Sequence, residues 1–250
     1  MIVLKTKNEL ELMRRAGRIA AQALHAGVAA VRPGVTTLEI NHVVHEVIRA
    51  QGAVPSFLGY GGFPAAACIS VNNQVIHGIP SRKTVIREGD IVSIDVGAIL
   101  DGYHGDTAYT VGAGEISPGA QQLLDTTKRC LELGIAAALD GNRLGDIGAA
   151  VQHCAESFGY GVVRDFVGHG IGKKLHEEPE VPNYGAPGKG RRLASGMTIA
   201  IEPMINQKSP GVLQLDDGWT VVTEDGSLSA HFEHTVAITP EGPVILTLPE

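Results

Sequence analysis

Cysteine is scarce in this 250-residue sequence. Cys68, Cys130 and Cys154 are the only three, and no two share a CxxC spacing, which argues against a zinc ribbon and a disulfide framework. So few thiols fit a reducing compartment. A basic excess is also missing: 20 Lys and Arg stand against 27 Asp and Glu, a formal net charge of -7. That balance argues against a dedicated nucleic-acid binder and leaves room for no more than a small basic patch at Arg191 and Arg192. No apolar run approaches the roughly 20 residues of a membrane helix. The opening residues MIVLKTKNELELMRRAG pass from a short apolar run straight into charges, unlike a signal peptide. A cytoplasmic protein with no membrane partner is expected.

What is present suits a soluble globular chain. Hydrophobic residues make up 44% and charged residues 19%. The length is enough to bury a substantial core. No low-complexity linker divides it, so residues 1–250 are expected to form one domain.

Thr6-x-x-Glu9 has the pattern of a capping box, in which the threonine and glutamate side chains satisfy each other's backbone N–H. Leu10, Met13, Ala16, Ala20 and Leu24 follow at helical spacing. The pattern predicts a helix ending before Arg32-Pro33-Gly34. Thr36-x-x-Glu39 opens a second helix that stops at Gly52. Ser117-Pro118 begins a third, with proline at the favoured first position, running to Gly141. A fourth spans 146–158. Strands are predicted at 91–99, 107–111, 197–203, 219–223 and 234–239 from their β-branched residues. Mixed helices and strands point to the α+β class.

Two segments echo each other. Gly89-Asp90-Ile91-Val92-Ser93-Ile94-Asp95 aligns with Gly196-Met197-Thr198-Ile199-Ala200-Ile201-Glu202. Each runs from glycine through an apolar strand to an acid. Each is followed by a further acid before a second strand, Asp106 in one case and Glu233 in the other. Two related halves are expected, each with two carboxylates. One acid at a strand end reads as solvent-exposed. Four in matching pairs read differently, because converging carboxylates repel and raise one another's pKa. Two divalent cations would balance the four charges. With one imidazole added, such a ligand set suits Mn, Fe, Co or Zn. Two such ions can activate a water for hydrolysis.

The segment GHGIGKKLHEEP (168–179) holds two histidines, His169 and His176, among three glycines. Glycine costs about 1 kcal/mol against alanine in a helix, so a bent, non-helical segment is expected. The acidic run Glu177, Glu178 and Glu180 reads as a solvated loop.

These segments, with NNQVIHGIP (72–80), SIDVGAILDGYHGDTAYTVG (93–112), AIEPM (200–204) and SLSAHFEHTV (227–236), resemble the type I methionine aminopeptidases, metallopeptidases of the pita-bread fold. The similarity runs over nearly the whole chain. It implies two pseudo-symmetric halves around a curved, mainly antiparallel sheet with helices outside. It implies two divalent metal ions: Asp95 on one, Asp106 and Glu233 bridging, His169 and Glu202 on the other. His176 would donate a hydrogen bond near the scissile amide, and His77 would position substrate and move a proton. Glu202 would also serve as the general base. Tyr60, Phe63, Cys68 and Trp219 would line the methionine pocket. Phe57 and Leu175 depart from some bacterial members, which carry cysteine and phenylalanine there. The implied substrates are nascent polypeptides with a free N-terminal methionine and a small second residue, and the ribosome is among the implied partners of a monomer.

His25, His42, His45 and His153 fall in predicted helices and read as structural or exposed. His104, His231 and His234 lie near the expected ligands and could support them. A prolidase or aminopeptidase P would need a large N-terminal extension, for which Thr6 leaves no room. A metal-free binding module of the same fold would lack ligands, yet all five positions are filled.

Overall fold

The computed structural model describes residues 2–249. Both capping boxes form. The Thr6 hydroxyl accepts the Glu9 N–H at 3.3 Å while the Glu9 carboxylate accepts the Thr6 N–H at 2.9 Å, and α1 (Lys7–Ala30) follows. Thr36 and Glu39 repeat the exchange at 3.2 and 2.8 Å at the head of α2 (Thr37–Ala50). Each cap is worth about 1 kcal/mol.

The other two helices differ from expectation at one end. Helix α3 (Pro118–Ala137) stops short of Gly141. The Asn142 side-chain amide donates to the Ala137 carbonyl at 2.9 Å and so takes up an acceptor that the helix end leaves free. Helix α4 (Leu144–Ser157) begins two residues before Asp146. Asp146 is not its first residue but its third, and its carboxylate accepts the Arg143 N–H at 2.7 Å.

The main sheet has nine strands. Its centre runs Ile91–Leu100, Tyr103–Gly112, Glu233–Thr239, Thr198–Ile201, Gly168–Gly170 and Glu177–Val181, every neighbour antiparallel. Helices α1 and α2 cover the first half, with Ile40, Val44 and Ile48 packed on Val92, Ile94 and Val96. Helices α3 and α4 cover the second, with Leu123, Ile147 and Val151 packed on Ile199, Ile201 and Val236.

The echo between the halves is structural. Gly89 and Gly196 both take positive φ, 85° and 91°. The Gly89 N–H donates to Ala113 O at 2.9 Å, and the Ala113 N–H returns to Asp90 O at 2.8 Å. Gly196 and Met197 make the same exchange with Ile238, both bonds at 2.9 Å.

Some strand limits move. Asp106 does not precede its strand but lies inside Tyr103–Gly112. The strand predicted at 197–203 narrows to Thr198–Ile201, because Pro203 has no N–H to continue the ladder. The strand predicted at 219–223 narrows to Val221–Thr223, because the Asp217 carboxylate takes the N–H groups of Trp219 and Thr220 at 2.9 and 2.8 Å. The 177–181 segment is a strand, not a loop. Glu178 and Glu180 are exposed in it, but Glu177 is half-buried against Lys5.

Helix α1 lies directly on the central strand Tyr103–Gly112 where Gly17 meets Gly105. A side chain on Gly105 would occupy the place of Gly17 Cα and N. Backbone cannot yield as a side chain tip can. Gly105→Ala is expected to lower the unfolding free energy by about 1–3 kcal/mol, read from urea denaturation. An unchanged midpoint would show that α1 can lift off the sheet without cost.

Candidate metal centre

Register places the acids. Asp95 pairs with Ala108, and Ala108 pairs with Glu233, so the three form one row across three strands. Directly paired residues share a face, and so does a residue two positions away. Asp106 therefore lies beside that row. His234 pairs with Ile201, which brings Glu202 past its strand end next to Glu233. His169 arrives from the short strand Gly168–Gly170.

These groups converge. One ligand atom from each of Asp106, His169 and Glu233 lies within 4.8 Å of the others. His169 Nε2 is 3.6 Å from Glu202 Oε1 and 3.9 Å from Asp106 Oδ2. Its Nδ1 lies 2.9 Å from Gly170 O. A carbonyl only accepts, so Nδ1 carries the proton and Nε2 offers its lone pair to the cluster.

The electrostatics are severe. Asp106 and Glu233 are 4% and 2% exposed. Asp95 Oδ1, Asp106 Oδ1 and Glu233 Oε1 are buried with no hydrogen-bond partner. Burial pushes Asp95 up to about 7, against the pull of His231 and with a further push from Glu202. Burial lifts Glu202 to about 8. Asp106 and Glu233 are raised well above the carboxylate range, by burial first and then by the neighbouring acids. Burial, with His176 nearby, lowers His169 to about 4, so its imidazole is neutral. Buried, unpartnered oxygens around a neutral imidazole are a donor set that fits a divalent cation.

Threonines hold the frame. The Asp106 N–H donates to Thr235 Oγ1 at 3.0 Å, and the Thr235 hydroxyl donates to Asp106 O at 2.8 Å. The Thr107 hydroxyl donates to Glu233 O at 2.8 Å.

The cluster forms the floor of a cavity of about 180 Å³. Tyr60, Phe63, Cys68, His77, His176 and Trp219 line it with the five expected ligands, so the ligand and pocket residues expected from the sequence meet there. Phe57 and Leu175 also line it. Phe63 meets Trp219 edge-on, ring centres 5.2 Å apart. His77 sits at a φ of 57°, an uncommon value outside glycine that often marks a functional position. Burial, with His231 and His176 nearby, lowers it to about 4. His176 stands exposed at the mouth, its Nδ1 2.7 Å from the Tyr60 hydroxyl and its ring centre 4.2 Å from that of His169. The Cys68 thiol is raised by burial and by Asp95, so it stays protonated.

Of the three neighbouring histidines, only His231 reaches the cluster, with Nε2 3.6 Å from Glu202 Oε2. His104 bonds Ser56 Oγ at 2.9 Å, and His234 bonds Thr247 Oγ1 at 2.8 Å. Phe166 and Ile76 also line the cavity and were not singled out from the sequence. Phe166 meets His77 edge-on at 5.9 Å. It stands three residues before His169, but a lone aromatic there carries no periodic signal.

Residues 11–240 match the profile of metallopeptidase family M24. The chain is 54% identical to the methionine aminopeptidase of Clostridium acetobutylicum over 250 residues, covering all of both proteins. It superimposes on the crystal structure of methionine aminopeptidase from Thermotoga maritima with a TM-score of 0.97 and 46% identity, covering 99% of each chain. The prolidase of Pyrococcus furiosus shares the fold at a TM-score of 0.80, with 25% identity over 99% of this chain and 66% of its own. Sequence identity thus separates the chain from the prolidase far more sharply than fold does. The chain belongs to metallopeptidase family M24, among the methionine aminopeptidases, and is a hydrolase.

Proposed function

We propose that this chain removes the N-terminal methionine from new polypeptides whose second residue is small, working as a monomer in the cytoplasm and meeting its substrates at the ribosome. Among the described residues no helix is long and apolar enough to cross a membrane. Asp95, Asp106, His169, Glu202 and Glu233 would hold two divalent ions, from Co, Mn, Fe or Zn. The observation that carries this reading is the set of buried, unpartnered carboxylate oxygens facing an apolar, aromatic-walled cavity. When bound, divalent ions there would neutralise the acids, polarise the scissile carbonyl and lower the pKa of a water.

The chain's own residues supply the rest. Glu202 takes the proton of the attacking water and delivers it to the leaving amine. Its carboxylate lies within 3.6 Å of both His169 and His231, beyond the end of its strand, where it can reach a proton on one side and release it on another. In the Nε2–H tautomer of His176, Nδ1 accepts the Tyr60 hydroxyl and Nε2–H can donate to the oxygen that gains charge. His77, held neutral, orients the substrate beside Phe166. Phe63, Trp219, Tyr60 and the protonated Cys68 offer the polarisable, apolar wall that a thioether side chain packs against.

Methionine release from a Met-Ala-Ser peptide is expected to stop on chelation and return with a divalent ion, while an X-Pro dipeptide is cleaved far more slowly. Comparable rates on the two, or no return with any divalent ion, would sink the proposal. Asp106→Ala is expected to lose bound metal and more than about a hundredfold in kcat/KM together. His176→Ala is expected to lose about a hundredfold or more in kcat with metal retained. Metal loss accounting for both defects would remove His176 from its role.

A pH effect follows from the raised carboxyls. Asp95 moves from 3.8 to about 7 and Glu202 from 4.5 to about 8 on folding without metal. The folded chain then holds more protons than the unfolded chain between those limits. The stability these groups contribute is full below about pH 4 and is lost as pH rises through about 7–8. Chelated protein is expected to melt at lower temperature at about pH 8.5 than at about pH 5, and added Mn²⁺ to raise the midpoint more at the higher pH. A metal effect that shrinks as pH rises would contradict the assignment of these acids.

A further inference from the structure

Lys5 does not line the cavity, yet its side chain is 4% exposed and its Nζ lies 2.6 Å from Glu177 Oε2. A second bond runs from Nζ to Val3 O at 3.2 Å. The Lys5 backbone is fixed separately, its N–H donating to Gly196 O at 2.7 Å. Gly196 opens the segment that leads through Thr198–Ile201 to Glu202. At the other end, Glu177 Oε1 accepts the Lys174 N–H at 3.2 Å and so closes the turn that carries His176. Gly172 makes room for the arrangement, since a side chain there would press on Lys5 Cε and Nζ. The ammonium sits directly beneath the turn.

We propose that Lys5 is a positioning residue for peptide hydrolysis, fixing the 173–177 turn through Glu177 and thereby the imidazole of His176. This assignment rests on the proposed methionine release and adds to it a residue outside the cavity. Leu175 is buried and Glu177 pairs with Gly170, so the backbone on either side of His176 is anchored, but its own ring is held by one hydrogen bond. It is exposed, and its hydroxyl partner Tyr60 is 45% exposed. Its place therefore depends on the backbone of the turn. Burial pushes the Glu177 carboxyl up, but the hydrogen bonds from Lys5 and from the Lys174 N–H outweigh this and hold it below the usual range. Without the ammonium, a half-buried carboxylate is left uncompensated and is favoured to turn toward water. Its neighbour in the chain is His176, so the donor moves with it. A displacement of about 1 Å at a positioned group can cost a hundredfold in rate.

The test is Lys5→Met, which keeps the volume and removes the charge, made alone and together with His176→Ala. The full metal-loaded chain is assayed on Met-Ala-Ser for kcat and KM, with metal content and melting temperature measured alongside. Lys5→Met is expected to lower kcat about tenfold, change KM less, and leave metal content intact. In the His176→Ala background the same change is expected to cost less than about twofold, because Lys5 acts through that imidazole. Equal losses in both backgrounds, a loss that follows metal content, or an unchanged kcat would overturn the assignment. If Lys5→Met does not fold, Glu177→Gln, which keeps an acceptor for the Lys174 N–H and weakens the ion pair, is read by the same criteria. A wild-type chain that releases no methionine would overturn the proposed function and this assignment with it. An active wild type with an unaffected variant overturns this assignment alone.

Discussion

The rest of this structure depends on carboxylates held together where their charges repel. The pairing of Tyr103–Gly112 with Glu233–Thr239 forces the approach. The ladder assigned there is short, with Glu233 opposite Ala108 and His234 opposite Thr107. Hydroxyls extend it. Thr235 bonds both backbone groups of Asp106, Thr107 bonds Glu233 O, and Thr110 donates to His231 O and accepts the His231 N–H. These bonds join the two halves at the level where the acids meet. An apolar core would not choose such a crossing, since each buried, unpaired charge costs several kcal/mol. A bound cation turns that cost into affinity, and the rigid strands keep the acids from moving apart to avoid it.

Strands and loops divide the chemistry. The groups that must stay fixed, Asp95, Asp106 and Glu233, all sit within strands. The groups that would meet the substrate, His77 and His176, sit on irregular backbone. His77 is aimed by its neighbours: the Gly78 N–H donates to Ser70 Oγ at 3.0 Å, and Gly78 O accepts the Ile69 N–H at 2.9 Å. His176 lies on a bend between buried Leu175 and Glu177, which pairs with Gly170. That bend gives a remote ion pair such as Lys5–Glu177 something to do.

The sequence was most informative where signals are local. Both Thr-x-x-Glu boxes give helix starts because the cap and the third residue bond each other within four positions. Helix ends were less legible. Asn142 ends α3 by reaching back five residues, and nothing in its identity announces that bond. Short strands such as Gly168–Gly170 and Gln74–Ile76 have no period to read, since three residues are too few to show an alternation. The residues that meet in the cavity were legible through motifs that repeat a known family's pattern. Lys5, Glu177 and Phe166 were not. A glutamate in an acidic run reads as solvated and a lysine near the start carries no signal, and only tertiary packing brings them together.

The two halves repeat each other up to the acids and then part. Asp95 sits mid-strand, paired with Cys68 on one side and Ala108 on the other. Ladder bonds on both flanks leave it little freedom. Glu202 occupies the matching place after Gly196, but its strand has already ended at Ile201 and Pro203 follows. It also has one more methylene than aspartate. Its backbone carbonyl is held by the Asn183 side-chain amide at 3.0 Å, while its carboxylate stands free between His169 and His231. A carboxylate that must collect a proton from one side and deliver it to another needs reach, whereas one that only binds charge needs stiffness. The echoed halves thus supply matched negative charge from both sides of the cavity. The point where they stop matching, aspartate within the ladder against glutamate just beyond it, leaves one carboxylate held by its strand and the other free of it.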